Sequence, residues 1–572
     1  MDSYEIIKQA LIELIGEGAK FSLDQPEDST HGDYATNIAF VLAKGKEISP
    51  SVCATELIPI LSEKLSSIIE KIEVAGPGFV NFFLLDNIIR KENEGRELVT
   101  KFLGKNILVE HSSPNLFKPF HIGHLMNNIV GEFVVRATQE GGAKVTTLSF
   151  PSDVSLGIAK AVYIIQKDGG VFGVLIPRYD KEGINYLGDC YVRGVSYYDE
   201  HPAEQEAIKE VARKIYAMEN SDEYDTYLTA KRFNIEYFEN MMQGIGSHFD
   251  NFIYESEAGI RGLGIVKEYT PEVFTESEGA IVYIPDESRK DINTAVFINS
   301  QGNPTYEAKD IGLIDIKFSQ YRPDYSFFVT DSEQISHFKI VLDAYAKIEI
   351  LQKEKLGKLE WQATGKNNHI PHGRMLFKGT KMSSRLGGVP LALDVISVVE
   401  EEVRERAGEK IAHLDANEKK QLERDIALSA LRIAVLRSKP GININFDPET
   451  SLSFEGDSGP YLMYTHARAS SLLEKGKDTA KAWGKYEVTS LEKKLIHFEK
   501  VLEDVINELA PQKLVSYLFS IAQLFNGYYA STQILVEGDD VGNGHRLLIV
   551  SRTKNVLNRG LHVLGISAPD RM

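Results

Sequence analysis

The chain has 572 residues, 43% of them apolar, and a formal net charge of −18; that length predicts several domains, and no apolar run is long enough to span a bilayer. Its two cysteines, Cys53 and Cys190, exclude a disulfide framework and a cysteine-rich zinc site. The acidic balance argues against a nucleic-acid partner, although a local basic face is enough to hold one.

The N-terminal "MDSYEIIKQALIELIGEG" carries acids early and lacks a basic start and a cleavage site. It predicts an amphipathic helix and not a signal peptide, and a cytoplasmic enzyme is the expectation. Residues 1–100 read as a small α+β domain. In it the helical "SVCATELIPILSEKLSSII" precedes the strand-like "IEVAGPGFVNFFLL", and the charged run "RKENEGRE" marks its boundary. Residues 101–390 alternate short apolar runs with helical patterns. The strand candidates are "NILVEH", "KVTTLSF", "AVFIN", "YSFFVT" and the stretch near "HGRMLFKG". This rhythm predicts a Rossmann-like parallel sheet with crossover helices, an α/β fold. Residues 165–260, rich in Tyr and charge, are expected as an insertion between the two halves of the sheet. Residues 391–572 read as an all-helical domain, with "VISVVEEEVRERAG", "SGPYLMYTHARASSLLEKG" and "LLIVSRTKNVLNRGLHVLG" in helical period.

Chemistry concentrates in two stretches. "SSPNLFKPFHIGH" (112–124) places His121, Gly123 and His124 where a strand gives way to a helix. A helix start offers free N–H groups and partial positive charge, imidazoles add donors for phosphate, and glycine admits a nucleotide closely. Two half-buried structural histidines explain the same residues about as well. "FKGTKMSSRLGG" (377–388) clusters Lys378, Lys381 and Arg385 with glycine and serine. Such a loop can close on a triphosphate, or can be a solvated basic loop.

Together the two stretches resemble the class I aminoacyl-tRNA synthetases, with "HIGH" at 121–124 and "KMSSR" in the place of the family's KMSKS loop. The second lysine of that loop is replaced by Ser384. Arginyl-tRNA synthetases commonly lack it and carry a lysine just before HIGH, where Lys118 stands. "VEHSSPNLFKPFHIGH", "TYEAKDIG", "DSEQISHF", "SGPYLMYTHARA" and "LGISAPDRM" are similar to that subfamily, while "LSFPSDVSLGIAK" diverges from it.

The resemblance implies ligation of arginine to tRNA(Arg) through an arginyl-adenylate, with ATP and Mg2+ as substrate, no zinc, no membrane and a monomeric enzyme. It also implies that activation requires bound tRNA. Catalytic roles would fall on Lys118, His121, His124 and Lys381. ATP would be held by His121, Gly123, His124, Met375, Phe377, Lys381 and Ser383. The arginine pocket would use Glu110, Asn115, Tyr306, Asp310 and Gln334; a guanidinium, always charged, requires such carboxylates. Residue by residue, Glu110 can equally be an exposed strand-end acid and Asp310 a helix N-cap. For tRNA the resemblance implies Phe79 and Asn81 at the elbow, and Tyr461, Tyr464, Arg468 and Met572 at the anticodon. Lys475, Lys477, Arg546, Arg552, Lys554 and Arg559 supply positive charge nearby. A buried tyrosine stripe, and Phe79 in the core of its strand, are the plainer alternatives. A synthetase for another amino acid, a small HxGH nucleotidyltransferase and a non-enzymatic tRNA-binding paralogue remain as rivals.

Overall fold

A computed structural model describes residues 2–26, 28–44, 46, 48–170, 181–377, 390–407, 414–484 and 486–572. The N-terminal sheet is antiparallel. It consists of β1 (Leu23–Asp24), β2 (Tyr34–Thr36), β3 (Ile69–Ala75) and β4 (Phe79–Leu84) in the order β1-β2-β4-β3. The Ser3–Ile15 helix begins at Asp2, whose carboxylate accepts from Glu5 N–H at 2.8 Å. The Pro50–Lys64 helix begins on a proline, which has no N–H to leave unpaired. Ile7, Leu11, Cys53 and Leu61 of these helices meet Val80, Phe82 and Leu84 of β4 in one core, which Ile496 from far along the chain joins.

The central sheet starts with β5 (Asn106–Glu110), β6 (Lys144–Ser149) and β7 (Asn251–Phe252). Ile107, Leu108 and Val109 are all buried, as a parallel strand covered on both faces requires. The chain then forms a separate antiparallel sheet from β8 (Phe274–Ser277), β9 (Ala280–Tyr283) and β10 (Ala295–Ile298). It returns with β11 (Tyr325–Asp331) and β12 (Asn367–His372) on the other side of β5. The order is β12-β11-β5-β6-β7, with every neighbour parallel. Strand order therefore reverses between β5 and β11. The crevice at their carboxyl ends is where open α/β sheets bind ligands.

Three sequence expectations need correction. "AVFIN" is β10 and lies outside the parallel sheet. The Tyr- and charge-rich region is a helical block between β6 and β7, one strand earlier than a break between two halves. It contains Leu156–Lys167, Lys181–Glu200, Gln205–Tyr216 and Asp222–Gly244, packed through Ile158, Val162, Leu187, Val211, Ile215 and Phe233. The C-terminal region is helical as expected except for one strand. β13 (Met375–Phe377) pairs in parallel with β14 (Ile444–Phe446).

The C-terminal helices share one core with the Ile122–Glu140 helix; Ile129, Phe133 and Val134 join Ile426, Leu431, Leu518 and Leu561. The end of the Asp222–Gly244 helix is held at the same junction. The guanidinium groups of Arg424, Arg432 and Arg136 donate to the carbonyls of Gly244, Ile245 and Gly246 at 2.9, 2.5 and 2.9 Å. Three cations on the carbonyls at and just past the end of a helix also complement its dipole.

Candidate active site

The stretch between β5 and the Ile122–Glu140 helix is strained and pinned. Ser112 and Phe117 adopt positive φ (54° and 62°), a conformation that non-glycine residues keep only where their surroundings impose it. Ser112 N–H donates to Asn127 Oδ1 at 2.7 Å, and Phe117 is buried. His121 then caps the helix. Gly123 N–H donates to its Nδ1 at 3.1 Å, while His121 N–H donates to His124 Nδ1 at 3.2 Å. The two rings stack with centroids 3.8 Å apart.

Both Nδ1 atoms thus accept, so in each neutral ring the proton sits on Nε2. Burial lowers the pKa of His121, with Lys118 and His372 adding to it. Burial, then His121, His372 and Lys118, lowers that of His124 to about 3. Near neutral pH the pair therefore presents two neutral Nε2–H donors. Gly123 has a local reason beyond nucleotide access: a Cβ there would lie 2.9 Å from His121 Cε1.

Lys378, Lys381, Ser383, Ser384 and Arg385 lie outside the described residues. Their flanks are fixed close to the histidines. On one side Met375, buried, and Phe377, half-buried, form β13. On the other, Ile122 N–H donates to Pro390 O and Ala392 N–H to Phe120 O, both at 2.9 Å. Lys118 is exposed and stands 4.8 Å from the centroid of the Tyr191 ring.

Glu110 is the last residue of β5 and is not an exposed acid. It is buried, and its Oε2 accepts from Lys317 Nζ at 2.9 Å, itself buried. Asp310 is not an N-cap, since Thr305 holds that position of the Tyr306–Tyr321 helix. Tyr306, Asp310 and Lys317, four and seven residues apart, share one helix face. Tyr306 is 65% exposed, and Asn115 and Gln334 are exposed too, Asn115 on the stretch after β5 and Gln334 at the start of the Ile335–Leu356 helix. Asp310 Oδ2 lies 2.5 Å from His337 Nε2, and Glu307 Oε1 lies 3.5 Å from His337 Nδ1. Burial opposes charge on His337, but Asp310 and Glu307 outweigh it and raise its pKa to about 9. Glu255 repeats the theme, with Lys309 Nζ 2.9 Å away. Sequence reasoning finds the acids and passes over these cations. The signal was Lys317 inside the apolar "GLIDIKF", a place a lysine occupies only with a buried partner.

At the C-terminal helices, Tyr461, Tyr464 and Arg468 are half-buried, neither core nor free surface. Asn526 Nδ2 donates to Tyr461 Oη at 3.0 Å, and the Arg468 guanidinium lies 4.7 Å from the Tyr464 ring and 4.9 Å from that of Tyr529. Met572 packs, partly buried, against the same core as Tyr461. Lys477, Arg546, Arg552, Lys554 and Arg559 each pair with a carboxylate, so they do not form a free positive surface. On β4, Phe79 is 41% exposed beside Phe40 and not in the core, whereas Asn81 is buried. Among the described residues no cluster of His, Cys, Asp and Glu could hold a metal ion, and no helix is long and apolar enough to cross a membrane.

Three families match consecutive parts of the chain. Residues 3–84 match "Arginyl tRNA synthetase N terminal domain", 85–447 "tRNA synthetases class I (R), catalytic domain", and 462–572 "DALR anticodon binding domain". The chain belongs to the class I arginyl-tRNA synthetases. Members of this family charge tRNA with arginine in ATP-dependent chemistry. The arginine–tRNA ligase of Exiguobacterium sibiricum is 28% identical over 571 residues, covering 96% of this chain and 95% of that protein. That of Borreliella burgdorferi is 28% identical over 549 residues, covering 91% and 89%. The Thermus thermophilus arginyl-tRNA synthetase structure aligns with TM-score 0.79 at 25% identity, covering 100% and 99% of the two chains. A Plasmodium falciparum arginyl-tRNA synthetase, at 18% identity and TM-score 0.77, has the same fold.

Proposed function

We propose that the crevice at the carboxyl ends of β5 and β11 makes arginyl-adenylate from arginine and Mg–ATP, then passes the arginyl group to the terminal adenosine of tRNA(Arg). The observation that carries this is the stacked histidine pair. With both Nδ1 atoms engaged by main-chain N–H groups, His121 and His124 donate from Nε2 to phosphate oxygens. They cost no reorganisation as charge develops. Lys118, with Lys381 from the loop after β13, neutralises charge on the leaving pyrophosphate; Met375, Phe377, Gly123 and Ser383 hold the nucleotide. Glu110, Asn115, Tyr306, Asp310 and Gln334 receive the amino acid, the acids taking the guanidinium and Asn115 its α-amino or carboxylate end. Residues 1–100 meet the tRNA elbow through the exposed Phe79, whereas Asn81, two residues on in β4, is buried and does not make that contact. Residues 391–572 hold the anticodon at Tyr461, Tyr464, Arg468 and Met572. One chain is the working unit, because both ends of this contact lie on it.

Bound tRNA is required for the first step. Supporting this, among the described residues Glu110, Asp310 and Glu255 are each matched by a protein cation, so an entering guanidinium has to displace one of them. The test is ATP–pyrophosphate exchange with each of the twenty amino acids, with and without tRNA. Exchange is expected with arginine alone and only when tRNA(Arg) is present. Full exchange without tRNA would overturn the tRNA requirement, and exchange with another amino acid would overturn the pocket assignment.

A further inference from the structure

The helical block between β6 and β7 takes no part in the chemistry above, yet one of its helices touches the loop before the histidine pair. Tyr191, on the Lys181–Glu200 helix, places its ring centroid 4.8 Å from Lys118 Nζ. Three glycines set this contact. A Cβ at Gly157 would lie 2.3 Å from Tyr191 Oη, one at Gly188 would lie 3.2 Å from Pro119 Cγ, and one at Gly194 would lie 2.7 Å from the Lys160 main chain. The Lys181–Glu200 helix is thus seated directly on the Leu156–Lys167 helix and on the proline next to Lys118. Its depth, and so the position of the Tyr191 ring, depends on those missing side chains.

The choice of partner has a physical meaning. A lysine ammonium is a point charge on a flexible stem, and left alone on an exposed loop it samples many positions. A carboxylate would fix it but cancel its charge. An aromatic face attracts the cation without neutralising it. Among the described residues no carboxylate pairs with Lys118, although Glu110, Asp310 and Glu255 all have cationic partners. Lys118 is therefore oriented by a partner that does not cancel its charge.

We propose that Tyr191 is a positioning residue that presents Lys118 to the transferring phosphoryl group, which gives the helical block a role in activation. This rests on the assignment of Lys118 to the pyrophosphate made above. The test is ATP–pyrophosphate exchange at saturating tRNA(Arg) with arginine varied up to saturation, on the full-length Lys118→Met, Tyr191→Leu, Tyr191→Phe and Lys118→Met/Tyr191→Leu enzymes. Tyr191→Leu is expected to lower kcat by about three- to thirtyfold, the span of a cation–π contact from exposed to desolvated settings, with the KM for arginine unchanged. Tyr191→Phe, which keeps the ring, should recover most of that loss. On the Lys118→Met background, Tyr191→Leu should cost no further activity. Full multiplication of the two losses, or a Phe variant as poor as the Leu one, would overturn the proposal. Normal exchange by Lys118→Met alone would instead remove the Lys118 assignment, and this proposal with it. Should Tyr191→Leu melt early, Gly157→Ala displaces the ring with Tyr191 in place, and the same kcat loss is expected; unchanged kcat there would also overturn it.

Discussion

Changing His337 to glutamine tests the electrostatics of the pocket directly. The imidazole is clamped between Asp310 at 2.5 Å and Glu307 at 3.5 Å, and its pKa is raised to about 9 from an ordinary 6.5. Since the folded value is the higher, the stabilisation is fully present below about pH 6.5 and is lost as pH rises through about 9. The gap is worth roughly 3 kcal/mol at 1.36 kcal/mol per pH unit, less some screening at a partly exposed ring. Urea unfolding of wild type and His337→Gln across that range should show the wild-type advantage shrinking by about 2–3 kcal/mol toward high pH. The same proton reports on substrate. A guanidinium that takes Asp310 leaves His337 without its strongest partner, so its pKa falls and a proton departs. Isothermal titration of arginine, with tRNA present, in two buffers of different ionisation heat should find up to about one proton released per arginine near neutral pH, and none from His337→Gln. Equal pH slopes for the two proteins would refute the clamp. Binding without proton release would refute competition between histidine and guanidinium.

Lys317→Met strands the buried Glu110 carboxylate and should lower stability by about 3–5 kcal/mol in denaturant titrations, with much of it regained in the Glu110→Gln/Lys317→Met double variant. Asp310→Ala should raise the KM for arginine by the equivalent of about 2–4 kcal/mol while leaving that for ATP nearly unchanged; equal effects on both would make Asp310 structural. Tyr464→Ala should weaken tRNA binding by roughly 1–3 kcal/mol, the worth of one stacked base. Its melting temperature should stay close to wild type because the ring is only half-buried. A variant that melts early with normal tRNA affinity would return Tyr464 to the core.

The parts of this molecule that could be read from sequence are those whose cause is local. "NILVEH" followed by "HIGH" placed a strand end and a helix start, and the chain turns there: β5 stops at Glu110 and the helix opens at Ile122. "AVFIN" has the same apolar character as β5, and only its pairing with β9 puts it in another sheet. β7 and β14, of two and three residues, are too short to leave a period. The same limit applied to the site. Glu110 and Asp310 were legible as carboxylates near the catalytic stretch, but each one's state depends on a residue the sequence does not place beside it. Lys317 is 207 positions from Glu110, and His337 is 27 from Asp310. Those distant partners alter what the acids can do. Bare carboxylates would bind arginine by attraction alone, and any cation of similar size would serve. If they receive arginine as proposed, matched carboxylates must exchange a protein cation for the substrate's, and the exchange is favourable only for a ligand whose planar fork makes better hydrogen bonds than the group it displaces. Selectivity for guanidinium over ammonium would then reside in Lys317 and His337 as much as in Glu110 and Asp310. It follows that His337→Gln should bind arginine more readily in the absence of tRNA while discriminating less well against lysine.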